Sequence, residues 1–206
     1  MNLVEKNGVK WCTFNHFSRS NGIIHGFSTR IGGVSSQPFS TLNLALHVDD
    51  EPEAVVENRE RFCNALGLKL KDLTAGEQVH SDQIKLVTGE DRGSGAFEYQ
   101  TAFSCTDGFI TNQPGVVLSS YYADCVPLFI YDPVQKVVAL AHAGWKGTVK
   151  RIGAKTIETM NRNFNTNAED CLVGIGPSIG GCCYEVDENV FDPFSQEFDF
   201  IDEVTK

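Results

Sequence analysis

The segment between Thr106 and Asn163 constrains the fold most, because four short apolar runs in it are followed by one helical pattern. Runs of four to eight apolar residues bounded by turns are typical of buried strands. A turn at Asp132-Pro133 separates the last two runs. The predicted strands cover residues 108–111, 116–122, 126–131 and 137–143, and the predicted helix covers 147–163. This order predicts a sheet with a helix packed on it.

The rest of the chain carries the same mixture of elements. A helical period over residues 51–68 is closed by Gly67, and a weaker one covers 187–198. Further strands are predicted at residues 22–30, 74–80, 83–88 and 171–175, with a surface loop at 89–104. We therefore predict an α/β (α+β) fold, a single domain over residues 1–206 in which a mixed sheet is layered with helices.

Charge and composition exclude several classes of function. The formal net charge is −10, which argues against nucleic acid or an anionic membrane as a main partner, because both require a basic surface. No apolar run approaches the roughly 18 residues of a membrane span, and the first ten residues lack the apolar core of a signal peptide. Seven cysteines without the spacing of a disulfide scaffold indicate reduced thiols. We expect a cytoplasmic protein.

Two histidines and one cysteine lie at the ends of predicted strands. They are His80, Cys125 and His142. Two imidazoles and a thiolate suit zinc, and three protein ligands leave a fourth position for water or substrate. Spacing alone also fits a buried histidine, a packed cysteine and a surface histidine. A mononuclear blue-copper centre is the alternative metal site, but it needs an axial methionine, and Met160 lies far along a predicted helix.

Other segments have the composition of anion-binding or ligand-binding loops. Residues 145–151 place three cations where a helix follows a strand, which favours a phosphate; the alternative is a solvated helix face. Arg30 ends the predicted strand 22–30, beside Gly32-Gly33, and can clamp an anion or be an ordinary surface arginine. The Gly-rich segment 174–184, which contains adjacent cysteines, allows close backbone approach to a ligand or forms a tight turn. Asp124, which precedes Cys125, can orient a ligand or cap a turn. The H-x-E and P-C-x-x-C signature of zinc nucleobase deaminases is absent.

Several longer segments together resemble one family. The segments are HGFSTRIGGVSS, NLALHVDD, VVENRERF, EQVHSDQI, DGFITNQPGVVLSSYYADCVPLFIYD, VVALAHAGWKGT and GIGPSIGGCCYEV. They resemble the laccase-domain or polyphenol-oxidase-like family, whose members act as multifunctional purine nucleoside enzymes. The resemblance runs from about Ile24 to Val190, and the pair ADCVP and AHAGW is its most specific part.

The resemblance implies a catalytic zinc ion held by His80, Cys125 and His142. It implies phosphorolysis of adenosine, inosine or 5′-methylthioadenosine, with adenosine deamination as a second activity. Arg30, Asn43 and Lys146 are then the predicted contacts for substrate or phosphate. The expected partners are a purine nucleoside and phosphate, and the expected assembly is a monomer or weak dimer.

The resemblance also raises two alternatives. The family's older description implies a copper-dependent polyphenol oxidase, but a true multicopper site needs more ligands than five histidines supply. Members of the family usually continue further beyond the GGCCYEV segment, so we expect this chain to lack C-terminal elements. A metal-bearing interaction module without turnover is therefore a further alternative.

Overall fold

The structure is a computed structural model, and it describes residues 1–20 and 22–199. Strands and helices are mixed along these residues. The strands are β1 Asn2–Lys6, β2 Val9–Thr13, β3 Phe27–Ser28, β4 Leu73–Thr74, β5 Ile84–Leu86, β6 Gly108–Thr111, β7 Val117–Leu118, β8 Val126–Asp132, β9 Val137–Ala143 and β10 Leu172–Ile175. The α-helices are α1 Asn15–Ser18, α2 Pro52–Leu66, α3 Trp145–Val149, α4 Ile152–Phe164 and α5 Glu188–Glu197.

A five-stranded mixed sheet with the order β10-β8-β9-β6-β5 forms the centre of the fold. Only the β5–β6 pair in it is parallel. The turn between β8 and β9 is closed by Asp132, whose Oδ1 accepts hydrogen bonds from the amides of Val134 and Gln135. Smaller sheets join β1, β2 and β3, and separately β4 and β7. The predicted mixed α/β fold is confirmed.

Helix α4 covers one face of the central sheet. Its buried residues Ile152, Thr156 and Met160 recur every four residues, as the core-facing side of a helix requires. Met160 is fully buried in a cluster with Ile110, Ile130, Val137 and Ala139. The only methionine far from the N-terminus is therefore a core residue and has no place at the candidate metal centre.

The predicted helix 147–163 is two helices. The first begins at Trp145 and the second at Ile152, and Arg151 between them has a left-handed backbone with φ of 59°. That conformation cannot continue an α-helix. The 51–68 prediction agrees with α2, which ends at Gly67 with φ of 77°, and the 187–198 prediction agrees with α5.

Three strand predictions were too long. Residues 22–30 and 116–122 keep two strand residues each, in β3 and β7, and residues 74–80 keep one, Thr74 of β4. After Thr74 the backbone pairs with loops: Ala75 N donates to the carbonyl of Ser94, and Glu77 N donates to that of Phe103. The segment after Thr74 is therefore held by hydrogen bonds to loops and not by a regular strand ladder.

The N-terminal hairpin of β1 and β2 was missed. Its turn is Asn7-Gly8, and both residues have positive φ, 54° and 78°. An Asn-Gly pair between short strands is the strongest local signal for a two-residue hairpin turn.

No helix among the described residues has the length and apolar character needed to cross a bilayer.

Candidate metal centre

The central sheet brings His80, Cys125 and His142 together. Cys125 directly precedes β8 and His142 lies near the end of β9, and the two strands pair with Pro127 opposite His142. His80 precedes β5, two strands away across β6. One ligand atom from each residue lies within 4.8 Å of the other two. The three residues singled out from the sequence therefore form one cluster.

The donor set fits a tetrahedral ion. Zn–N bonds of about 2.05 Å and a Zn–S bond of about 2.3 Å place neighbouring donors roughly 3.5 Å apart. Donors already within 4.8 Å of one another need shifts of only about 1 Å to reach that geometry. His142 is buried, Cys125 is half-buried and His80 is exposed. A fourth position can therefore open to solvent on the His80 side.

Asp107 connects two of the three donor residues. Its side chain is fully buried and its Oδ1 lies 2.8 Å from Nδ1 of His142. The same carboxylate accepts hydrogen bonds from the amides of Val79, His80 and Ser81 and from the Ser81 hydroxyl. Sequence reasoning missed this residue. Its position directly before the buried strand β6 was the available signal.

The charges at the centre favour a cation. Burial raises the pKa of the Cys125 thiol, and the carboxylates of Asp124 and Asp107 raise it further. The thiolate therefore needs a positive partner to form near neutral pH. Partial desolvation of the largely exposed His80 ring lowers its pKa, and His142 lowers it further, which favours a neutral imidazole with a free lone pair. Burial opposes ionisation of Asp107, but hydrogen bonds from His142, Ser81 and Val79 outweigh burial and hold its pKa below the usual value.

Gly144 leaves the space that two donor side chains occupy. A Cβ at this position would lie 2.5 Å from Cδ2 of His80 and 3.1 Å from Sγ of Cys125. The residue is the N-cap of α3 and has an ordinary extended backbone, with φ of −69° and ψ of 170°. Its lack of a side chain is therefore required by the donor residues and not by backbone strain.

An aromatic residue packs against the ring of His142. The ring centroid of Tyr122 lies 5.4 Å from that of His142, and its hydroxyl donates to the carbonyl of Ala141 at 3.2 Å. The ring of Tyr122 also contacts Phe27 of β3, with ring centroids 6.0 Å apart. Tyr122 therefore packs between β3 and the buried His142. Sequence reasoning did not single out Tyr122.

Lys146 is the cation of the 145–151 segment that stays near the donor cluster. It is exposed, and its charge contributes to lowering the pKa of His80. The other two cations of the segment pair with carboxylates: Nζ of Lys150 lies 4.0 Å from Asp82, and Arg151 pairs with Glu197. One of the three predicted cations is therefore available to an anion beside the cluster.

The structure places Arg30 and Asn43 in one irregular segment, residues 29–50. Nε of Arg30 donates to the carbonyl of Ser40 at 2.8 Å. Nδ2 of Asn43 donates to Asp50 at 2.8 Å, and its Oδ1 accepts from the amide of Ala45 at 3.0 Å. Among the described contacts, neither side chain touches the three donor residues. Their substrate-binding roles stay predictions.

The Gly-rich segment 174–184 runs beside the donor cluster. The amide of Ile179 donates to the carbonyl of Asp124 at 3.0 Å. Asp124 itself is exposed, as are Cys182 and Cys183, and all seven cysteines of the chain are free thiols. A separate groove of about 690 Å³ lies along α2, beside Glu53, Glu57 and Phe97, and none of the three donors lines it.

Comparison with known proteins identifies the family. The family model described as multi-copper polyphenol oxidoreductase laccase matches residues 24–206. Purine nucleoside phosphorylase YlmD of Bacillus subtilis (strain 168) is 45% identical over 182 residues, which is 88% of this chain and 65% of that protein. Adenosine deaminase RL5, from an unknown prokaryotic organism, is 33% identical over 181 residues, covering 87% of this chain and 69% of that protein.

A solved structure shares the fold. The crystal structure of the hypothetical protein YfiH from Bacillus licheniformis superposes with a TM-score of 0.90 at 39% identity, covering 97% of this chain and 73% of that one. The chain thus spans 65% of the length of its Bacillus subtilis relative, slightly less than two thirds. The matched residues include the strands and loops that carry all three donors. The chain belongs to the multi-copper polyphenol oxidoreductase laccase family.

Proposed function

We propose that this chain is a zinc-dependent purine nucleoside phosphorylase that acts on adenosine, inosine or 5′-methylthioadenosine. The observation that carries the proposal is the cluster of His80, Cys125 and His142, with donor atoms within 4.8 Å and one open side. The name of the Bacillus subtilis relative, at 45% identity, supports the reaction. We further infer adenosine deamination as a second activity, supported by the name of the relative called adenosine deaminase RL5.

In this proposal the chain's own groups bind and orient the substrates. Lys146, exposed and close enough to His80 to affect its pKa, attracts phosphate to the open side of the cluster. The positive charge of Lys146 is needed there because the chain as a whole has a net charge of −10 and repels anions. Arg30 and Asn43 are the remaining proposed contacts for phosphate or nucleoside. A bound zinc ion supplies a Lewis acid that polarises a substrate oxygen or acidifies water.

The direct test measures ribose 1-phosphate from adenosine and phosphate with zinc-loaded protein. We expect product from the wild type and none from His80→Ala. The control is His16→Ala, because His16 is an exposed histidine on α1, remote in sequence from the cluster. Absence of product from wild-type protein with one bound zinc would overturn the phosphorylase proposal. Inosine formed in phosphate-free buffer reports deamination separately.

The family's description raises copper-dependent phenol oxidation as a second candidate. Cu(II) binds nitrogen and sulfur ligands more tightly than zinc, so the same three donors can hold one copper ion. A multicopper mechanism needs further ligand sets, and the described residues contain one candidate group of three metal-ligating side chains. Copper-loaded protein that oxidises phenol, with zinc-loaded protein inactive on nucleosides, would favour this candidate.

A metal-bearing interaction module is the third possibility. It predicts one bound zinc with neither nucleoside turnover nor phenol oxidation. We propose in addition that the protein acts in the cytoplasm as a monomer or weak dimer. Sedimentation of the zinc-loaded protein at several concentrations tests the assembly.

A further inference from the structure

We propose that Asp107 is the positioning residue for both histidine donors, so that one buried carboxylate sets the geometry of His80 and His142 together. The carboxylate contacts one donor through its ring and the other through its backbone. It is not itself among the three candidate ligands. The inference rests on the metal centre of the proposed function, but not on the reaction.

The first contact selects the ring nitrogen that His142 presents. Nδ1 of His142 lies 2.8 Å from Oδ1 of Asp107. The ionised carboxylate can only accept, so Nδ1 carries the proton and Nε2 keeps its lone pair. A histidine ligand held in this way by a carboxylate has its tautomer and ring orientation set before metal arrives. Burial of both side chains excludes water as a competing partner.

The second contact holds the loop that carries His80. His80 has a left-handed backbone with φ of 60°, which is uncommon for a residue other than glycine. Three consecutive amides, those of Val79, His80 and Ser81, donate to Asp107 at 3.2, 3.1 and 2.7 Å. Convergence of the three N–H groups on one anion stabilises this conformation against relaxation to an ordinary one. The backbone direction of His80 therefore depends on the charge of Asp107.

The substitution Asp107→Asn keeps the side-chain volume but removes the carboxylate that holds both histidines. An asparagine side chain has one acceptor oxygen, and its NH₂ group would face donors that now point at the second carboxylate oxygen. The five hydrogen bonds from the loop and from His142 cannot all form. Both histidines should lose their fixed positions in the same variant.

Asp132 offers a matched control. It is also a fully buried aspartate that accepts hydrogen bonds from two backbone amides. It lies at the end of β8 opposite to Cys125. Asp132→Asn therefore imposes a comparable change on a turn that does not carry a donor residue. A general loss of stability affects both variants, whereas loss of ligand positioning affects Asp107→Asn alone.

Two measurements that need no nucleoside test the inference. In metal-free protein, ¹⁵N NMR of the histidine rings should show His142 protonated at Nδ1 in the wild type and in Asp132→Asn, and a mixture of tautomers in Asp107→Asn. In competition with a chromophoric chelator, Asp107→Asn should bind zinc about 10- to 100-fold more weakly. Asp132→Asn should keep wild-type zinc affinity.

A milder variant keeps the inference testable if Asp107→Asn fails to fold. Ser81→Ala removes the hydroxyl that donates to Asp107 at 2.7 Å, without touching His142. It should weaken zinc binding and alter the visible spectrum of the cobalt-substituted protein. Wild-type zinc affinity in Asp107→Asn, or in Ser81→Ala where Asp107→Asn does not fold, would overturn the inference, as would an Nε2-protonated His142 in the wild type. Neither outcome depends on whether phosphorolysis occurs.

Discussion

Replacement of Gly144 by alanine is a sharp steric test of the metal centre. The added Cβ would lie 2.5 Å from Cδ2 of His80, whereas ordinary carbon contacts begin near 3.4 Å, so the ring must move by about 0.9 Å. Sγ of Cys125, at 3.1 Å, must move by a few tenths of an ångström. Metal–ligand distances tolerate only about 0.2 Å. The substitution therefore removes His80 from a productive position.

The same substitution should have little effect on folding. The backbone of Gly144 is in a region that alanine adopts freely, and the exposed ring of His80 can turn outward. Loss of glycine as the N-cap of α3 costs about 1 kcal/mol or less. Zinc affinity should fall by at least about 100-fold, or roughly 2.8 kcal/mol of binding free energy. We therefore expect Gly144→Ala to lose zinc affinity while it keeps nearly the wild-type free energy of unfolding.

Chelator competition measures the zinc affinity, and thermal unfolding in the presence of chelator measures the stability of the metal-free protein. The control is Gly153→Ala in α4, where the new Cβ meets only the flexible end of Leu128, at 3.2 Å. That variant should keep its zinc affinity and gain up to about 1 kcal/mol from helix propensity. Wild-type zinc affinity in Gly144→Ala would show that the three side chains do not act together as ligands.

Three further predictions concern other parts of the molecule. Arg59→Met should lower the free energy of unfolding by about 3 kcal/mol or more, because three carbonyls lose the hydrogen bonds that the buried guanidinium now donates. In the same urea titration, the control Arg61→Met on the exposed side of α2 should change this free energy by no more than about 0.5 kcal/mol. The folded-state pKa of Asp50 is lowered by hydrogen bonds that outweigh burial, so its stabilisation is present above its ordinary pKa and is lost as pH falls through the folded value. Acid titration of Asp50→Asn should accordingly show a shallower loss of stability than the wild type, and parallel curves would contradict this. Zinc at about 100 times its dissociation constant should stabilise the wild type by about 2.7 kcal/mol in thermal unfolding, and Cys125→Ser should lose that increment; an equal gain in both would place the ion elsewhere.

The local elements were largely predictable from the sequence. Strand β6 and the β8–β9 hairpin agree with their predictions to within a residue, because an apolar run ending in a turn has few alternatives. The break at Arg151 and the loop after Thr74 were not predicted. The loop after Thr74 depends on hydrogen bonds with distant residues, about which periodicity carries no information. At Arg151 no local pattern marked the change to a left-handed backbone.

The residues themselves predicted the types of donor, and only the family resemblance predicted that the three form one site. A histidine or cysteine at the end of an apolar run is a good ligand wherever the chain folds, so His80, Cys125 and His142 could be named in advance. Their convergence required β6 to pair with β9 and β5 to lie beside β6. Asp107 is an ordinary residue in the sequence, and only burial against two donors gives it a role.

The sequence by itself determined the central strands β6, β8 and β9, the helix α2 and the atoms capable of binding a metal, because each depends on neighbouring residues. The tertiary structure decided how strand pairing brings three such atoms within 4.8 Å, that Asp107 connects two of them and that Gly144 leaves them room. Asn43 is a second example: an asparagine side chain suits contact with a ligand, but the fold pairs this one with Asp50. Long-range strand pairing brings together residues whose separation in the chain leaves no local pattern.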